Sequence, residues 1–74
     1  MVSEREELHV LPHESTGGWF VQAAGSPEAL SWHGEAGEAE RAARRRAALL
    51  GARRIYMHDR YRRVRAIASD VPRR

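Results

Sequence analysis

Residues 35–51 read EAGEAERAARRRAALLG, and this stretch carries the clearest helical pattern in the chain. Small apolar residues recur there at steps of three and four, which places them on one side of a helix over residues 35–50. They are Ala39, Ala42, Ala43, Ala47 and Leu50. Gly51 follows, and glycine commonly ends a helix because it adopts the left-handed conformation easily. Because alanine buries little area, the helix must lie close to its neighbour, and larger side chains must fill the core.

Short strand patterns flank this helix on both sides. Three come before it, at residues 8–13, 19–24 and 29–33, and two after it, at residues 54–58 and 63–67. Strands joined by short turns pair antiparallel, and one face of such a sheet needs cover. The sequence therefore predicts an α+β fold. We expect a mostly antiparallel sheet of four to five strands, in the order strand-strand-strand-helix-strand-strand, with the helix packed on one face.

Two tryptophans are the predicted core anchors, because a core lined with alanine needs large side chains. Trp19 begins the second strand and Trp32 lies in the third. In the last strand, Val64 and Ala66 are predicted to face the core, alternating with an outward-facing Ile67. Truncating either tryptophan is therefore expected to be strongly destabilising.

The length of 74 residues allows one domain. We expect it to span residues 8–68, with a flexible N-terminus at residues 1–7 and a loose C-terminal tail at residues 69–74. The chain has no cysteine, so neither a disulfide nor thiol catalysis is possible. The first residues, MVSEREEL, are acidic, unlike a signal peptide, and no apolar run approaches about 20 residues. These features predict a cytoplasmic protein with no membrane partner.

Three segments follow one another in a specific order. They are LHVLPHESTGGWFVQ at residues 8–22, EAERAARRRAALLGA at residues 38–52 and IYMHDR at residues 55–60. Together they resemble a family of small bacterial proteins, domain-of-unknown-function family 2188. The resemblance implies a first hairpin, an alanine-rich helix and a final hairpin, and it implies no assigned activity. Where the final turn of the family carries glycine, this chain has Arg62.

Charge is divided unevenly along the chain. Residues 1–40 hold one Arg and eight Glu, whereas residues 41–74 hold twelve Arg and two Asp. Guanidinium groups fork onto phosphate and stack on bases, so the second half predicts a site for nucleic acid or another polyanion. Its candidate residues are Arg53, Arg54, Arg60, Arg62, Arg63 and Arg65. The alternatives are an arginine content set by codon usage, and a solvated face on which Glu40 pairs with Arg44.

A protein-binding or homodimerisation surface is the second interpretation. Phe20, Tyr56 and Ile67 alternate with core positions, so they are predicted to face outward from the uncovered side of the sheet. The two interpretations differ in the side chains expected on that side. Apolar groups there favour a protein partner, and arginines favour a phosphate backbone.

The four histidines are the groups most suited to titrate near neutral pH; they are His9, His13, His33 and His58. Their spacing matches no helical metal motif, so we expect no metal and no cofactor. His13 and the neighbours His58 and Asp59 precede turns and are predicted to stabilise them. No nucleophile with an oriented base is indicated, so we expect no catalytic residue and no enzyme activity. The sequence thus predicts a small binding module.

Overall fold

Every predicted helix and strand forms in the computed structural model, which describes residues 7–69. The elements are β1 (Glu7–Pro12), β2 (Trp19–Ala23), β3 (Ala29–His33), α1 (Ala36–Leu50), β4 (Arg54–His58) and β5 (Val64–Ile67). The α+β class and the order of the elements are thereby confirmed. No helix in this part of the chain is long and apolar enough to cross a membrane.

The five strands form one sheet in the order β3-β2-β1-β4-β5. Three neighbouring pairs are antiparallel, and β1 pairs with β4 in parallel. Because two hairpins connect the first three strands, β3 runs in the same direction as β1 and β4. The chain then crosses one face of the sheet through α1 and returns beside β1. The sheet is mostly antiparallel, as predicted, and β1 is its central strand.

Alanine determines how closely α1 approaches the sheet. Ala39, Ala43 and Ala47 are fully buried on one side of the helix. A single methyl group at each position lets the helix backbone lie close to the strands. Gly51 ends the helix in the left-handed conformation with φ 73°, and the N–H of Ala52 donates to the Ala47 carbonyl at 2.9 Å. The predicted role of Gly51 is confirmed.

Medium-sized aliphatic residues fill the core beneath this helix. Leu8, Val10, Val21 and Ile55 are fully buried, and Met57 retains 6% exposure. They occupy alternate positions of the three inner strands, so all five project toward α1. The thin space beside the alanines is thus filled without a buried aromatic ring.

The predicted core role of Trp32 is wrong, since this residue is 60% exposed. Trp32 pairs in register with Phe20, which precedes inward-facing Val21, so both rings lie on the side of the sheet away from α1. Trp19 is half-buried and packs against the edge of the core. The guanidinium carbon of Arg60 lies over its ring, 5.1 Å from the centroid. Trp19 is therefore a peripheral member of the core.

The side chains of β5 lie on the opposite faces of the sheet from those predicted. Ile67 lies opposite buried Ile55 and packs against the core. By alternation, Val64 and Ala66 project from the uncovered side, where Val64 is 54% exposed. The predicted outward orientation of Ile67 is therefore wrong, and this residue does not belong to the uncovered face.

The ends of the described domain differ slightly from the expected boundaries. β1 begins at Glu7, within the predicted flexible N-terminus. The hydroxyl of Ser69 donates to the Ala52 carbonyl at 2.8 Å, so Ser69 is tied to the domain. The other residues of the two predicted tails, 1–6 and 70–74, lie outside the described residues.

Two substitutions test the composition of the core. Leu8→Ala is expected to lower the free energy of unfolding by about 2–5 kcal/mol, because it removes fully buried methyl groups and leaves a cavity. Trp32→Ala is expected to cost about 1 kcal/mol or less, because most of that ring is already in solvent. Urea unfolding followed by circular dichroism measures both values. Equal losses would show that Trp32 is a core residue after all.

The turn between β4 and β5 supplies a second test. Arg62 has φ 65° and is the one non-glycine residue with positive φ among residues 7–69. This conformation costs a non-glycine residue roughly 1–2 kcal/mol. Glycine avoids this cost, but its unfolded state has more conformational entropy, and that offsets part of the gain. Arg62→Gly is therefore expected to raise the free energy of unfolding by about 0.5–1 kcal/mol in chemical denaturation. Arg62→Ala is the matched control, and an equal gain there would assign the effect to the lost charge.

Candidate binding surface on the open face of the sheet

Among residues 7–69, no helix lies on one face of the sheet, and we call this face the open face. The residues that alternate with the core positions form it. They are Glu7, His9 and Leu11 of β1, Phe20 and Gln22 of β2, Ala29 and Trp32 of β3, Arg54, Tyr56 and His58 of β4, and Val64 and Ala66 of β5. Most of these side chains are aromatic, imidazole or aliphatic. Their two charged members, Glu7 and Arg54, pair at 3.7 Å at one end of the face.

Three rings form a cluster on the β2-β3 side of the open face. The centroids of Phe20 and Trp32 lie 5.1 Å apart, and the rings of His13 and Trp32 meet edge to face with centroids 5.2 Å apart. The loop holds His13 in place: its N–H donates to the Gly18 carbonyl at 2.8 Å, and its Nδ1 lies 3.1 Å from Oγ1 of Thr16. The predicted turn role of His13 is confirmed. The cluster also presents the exposed side of Trp32 to solvent.

A pair of histidines occupies the centre of the open face. Nδ1 of His9 and Nε2 of His58 lie 2.8 Å apart across β1 and β4, so one ring donates an N–H to the lone pair of the other. Tyr56 stacks on His9 with centroids 5.4 Å apart, and a carboxylate oxygen of Glu7 lies 3.5 Å from Nε2 of His9. Partial burial, and then the neighbouring His9, lower the pKa of His58 below its ordinary value of 6.5. The His58 ring is therefore neutral at physiological pH.

The predicted turn role of Asp59 is confirmed. Its Oδ1 accepts the backbone N–H groups of Tyr61 and Arg63 at 2.8 and 2.9 Å, and its Oδ2 accepts the Nε–H of Arg63 at 2.7 Å. The backbone bond from Arg63 is the largest of the causes that lower the pKa of the Asp59 carboxyl. His58, predicted to stabilise the same turn, instead bonds to His9.

The candidate anion-binding arginines fall at the two ends of β4. Arg53 and Arg54 lie where the strand begins. Arg60, Arg62 and Arg63 lie in the turn beyond its other end. Four steps of extended chain separate these ends by about 13 Å. The structure therefore divides the predicted arginine patch into two smaller groups.

Carboxylates of the protein itself hold several of the arginines. Arg63 pairs with Asp59 at 2.7 Å, and Arg65, on the same side of the sheet as α1, reaches Glu40 at 3.6 Å. Glu40 also pairs with Arg44 at 2.9 Å, as predicted. Exposed pairs of this kind contribute only about 0–1 kcal/mol each, but they offset the charge that a phosphate group would otherwise meet. Arg63 and Arg65, and also Arg54 with its Glu7 partner, are the weaker members of the predicted anion site for this reason.

The remaining histidine bonds locally, since Nε2 of His33 lies 2.8 Å from Oγ of Ser31. Within residues 7–69, no group of three or more His, Asp or Glu side chains is placed to hold a metal ion. The four histidines therefore contact each other or hydroxyl groups.

Comparison with protein-family models, with curated proteins and with solved structures finds no match to this chain. The family resemblance based on the sequence motifs therefore stays a prediction.

Sequence reasoning missed the pairing of His9 with His58. The signal for their orientation was present, because His9 stands between inward-facing Leu8 and Val10. Their proximity could not be read from the sequence, since it depends on β4 lying beside β1 in parallel. That pairing brings together two side chains 49 positions apart in the chain.

Proposed function

We propose that this chain is a non-enzymatic binding module that associates with a second copy of itself through the open face. The observation that carries the proposal is its exposed apolar surface, on which Trp32 and Val64 retain 60% and 54% exposure at opposite edges of the sheet. Patches of aromatic and aliphatic side chains commonly mark interfaces. An apolar open face also favours a protein partner over a phosphate backbone, by the criterion derived from the sequence.

The two sides of the open face have complementary shapes. The β3 side holds the bulky Trp32 and Phe20, and the β5 side holds the smaller Val64 and Ala66. A twofold axis parallel to the strands places β3 of one copy over β5 of the other, so each bulky side meets a small one. The central strand β1 then faces its counterpart across the interface.

The size of the open face sets the expected strength of association. A strand spacing of about 4.8 Å and a rise of about 3.3 Å per residue give a face of roughly 20 by 17 Å, or about 350 Å² in projection. Specific complexes usually bury about 800 Å² per partner. We therefore expect a weak, reversible dimer with a dissociation constant in about the micromolar range or above.

Sedimentation velocity over about 10 μM to 1 mM protein tests the dimer. The measured mass is expected to rise with concentration from 8.4 kDa toward twice that value. Val64→Glu places a charge on the apolar β5 side and is expected to weaken the dimer at least about tenfold, which corresponds to about 1.4 kcal/mol. Trp32→Ser removes the bulky ring on the β3 side of the open face and is also expected to weaken the dimer.

Leu49→Glu is the matched control for Val64→Glu. Leu49 is 78% exposed, so the same charge is introduced at an apolar surface position, but it lies on α1 and away from the open face. Circular dichroism confirms that each variant is folded. A mass of 8.4 kDa at every concentration, or equal weakening by both charged variants, would contradict the proposal.

Polyanion binding is the second candidate function, and it rests on arginines that no carboxylate holds. Among the ion pairs of residues 7–69, neither Arg53 nor Arg62 takes part, and both are exposed. Guanidinium groups in this state are available to phosphate oxygens. Because the two lie at opposite ends of β4, we propose weak binding that does not depend on nucleotide sequence.

Fluorescence anisotropy with labelled random duplex DNA and single-stranded RNA tests this second candidate. Raising the salt from about 50 to about 200 mM is expected to weaken binding about 10- to 100-fold, because a few phosphate contacts release their counterions. The double variant Arg53→Ala with Arg62→Ala is expected to weaken binding further. Arg63→Ala with Arg65→Ala is the matched control, since both arginines are already paired. Absence of binding at low salt, or equal losses in the two double variants, would overturn the assignment.

A further inference from the structure

We propose that acidification dissociates the dimer formed through the open face, and that the His9–His58 pair at its centre is the group that senses pH. This inference rests on the proposed self-association and names its regulation. The geometry behind it is the 2.8 Å separation of Nδ1 of His9 and Nε2 of His58. No other pair of titratable rings among the described residues lies so close.

The hydrogen bond between the two rings limits how many protons they hold. A bond between imidazole nitrogens needs one N–H and one lone pair. A first proton on the pair leaves such a bond in place, and the Glu7 carboxylate 3.5 Å from Nε2 of His9 favours that cation. A second proton removes the last lone pair at the contact and places two like charges side by side. Lowering the pH therefore turns an uncharged pair into a charged and then a mutually repelling one.

The charged and titratable groups around His58 come from each element beside it. Glu7 of β1 and Tyr56 of β4 flank the pair. Residues of both neighbouring turns line a surface depression of about 380 Å³ beside His58. The turn residues lining it are Glu14, Asp59, Arg60 and Arg62. From β5, the register partner of His58 is uncharged Val64, and α1 lies on the opposite face of the sheet. With Glu7 the turn residues make three carboxylates, and with Arg54, which pairs with Glu7 at 3.7 Å, three guanidinium groups, so this surround has no net charge that would compensate a protonated pair.

The charge on the histidine pair affects dimer formation because of where β1 lies in the sheet. β1 is the central strand of the sheet, so in a twofold face-to-face contact it lies over its own counterpart. A charge on the histidine pair of one copy then lies close to a like charge on the pair of the other, away from water. Burying a charge beside a like charge is unfavourable, so the dimer binds fewer protons than two separate copies do.

The direction of the pH effect follows from this difference in bound protons. A group whose pKa falls on association favours the associated state above its free-state pKa and opposes it below. The pKa of His58 is already below 6.5 in the single copy, and cover by a second copy lowers it further. The dimer therefore has its full affinity at neutral pH and weakens as the pH falls below 6.5 toward the pKa of His58 in the single copy. One proton taken up per copy raises the dissociation constant up to about 100-fold per pH unit.

Sedimentation velocity of the full chain at pH 7.5, 6.5 and 5.5 measures this dependence. We expect the dissociation constant to rise at least about tenfold from the highest to the lowest pH. The double variant His9→Gln with His58→Gln keeps an amide donor and acceptor in each position but cannot titrate, so its dissociation constant is expected to change less than about twofold. His33→Gln is the matched control, because His33 bonds to Ser31 and its removal is expected to leave the full pH dependence.

The outcomes separate this inference from the proposed function. Absence of a dimer at every pH contradicts the self-association itself. A dimer of constant affinity from pH 7.5 to 5.5, or an undiminished pH dependence in the double glutamine variant, overturns the role of the histidine pair and leaves the dimer standing. Circular dichroism at each pH shows whether the chain stays folded, and the single variants His9→Gln and His58→Gln serve if the double variant does not fold.

Discussion

The close contact between the alanine side of α1 and the sheet is the constraint on which the other features depend. Ala39, Ala43 and Ala47 leave a thin layer between helix and strands, and residues such as Leu8 and Val21 fill it completely. A helix is about 10 Å wide, whereas five strands span about 20 Å, so the one helix of the described part of the chain covers the middle of one face and none of the other. The large rings have no place in so thin a core and lie at its margin or on the open face.

The packing of the helix on the sheet also determines which acidic and basic side chains contact each other. The acidic first half and the basic second half contact each other at the surface of one molecule, through Glu7 with Arg54 and Glu40 with Arg65. Part of the charge division seen in the sequence is therefore used within one molecule. These ion pairs reduce the guanidinium surface that is available to phosphate. Aromatic rings and apolar side chains are then the main features of the open face.

Local patterns were sufficient to predict the elements but not the side on which each residue lies. The helix and all five strands form within one or two residues of their predicted bounds, because periodicity and turn residues are local signals. The orientations of Trp32 and Ile67 depend on register, and a shift of one residue moves a strand's side chains to the other face. The pairing of β2 with β3 shifts register between Val21 and Gln22 of β2, and β5 has only four residues, so its alternation fits either face. Of the candidate site, Phe20 and Tyr56 could be placed on the open face in advance, whereas the partner of each histidine could not.

The parallel pairing of β1 with β4 connects the core to the histidine pair. The register that sets Leu8 beside Ile55 on the covered face also sets His9 beside Tyr56 on the open face. The contact between the two imidazole rings is thus a direct consequence of how the core strands align. The pairing of β1 with β4 already brings the two rings together. Protonation acts on the opposite side of the sheet from the buried aliphatic residues. A change of pH therefore alters the surface that a second copy meets while the contacts that hold the strands to α1 stay in place.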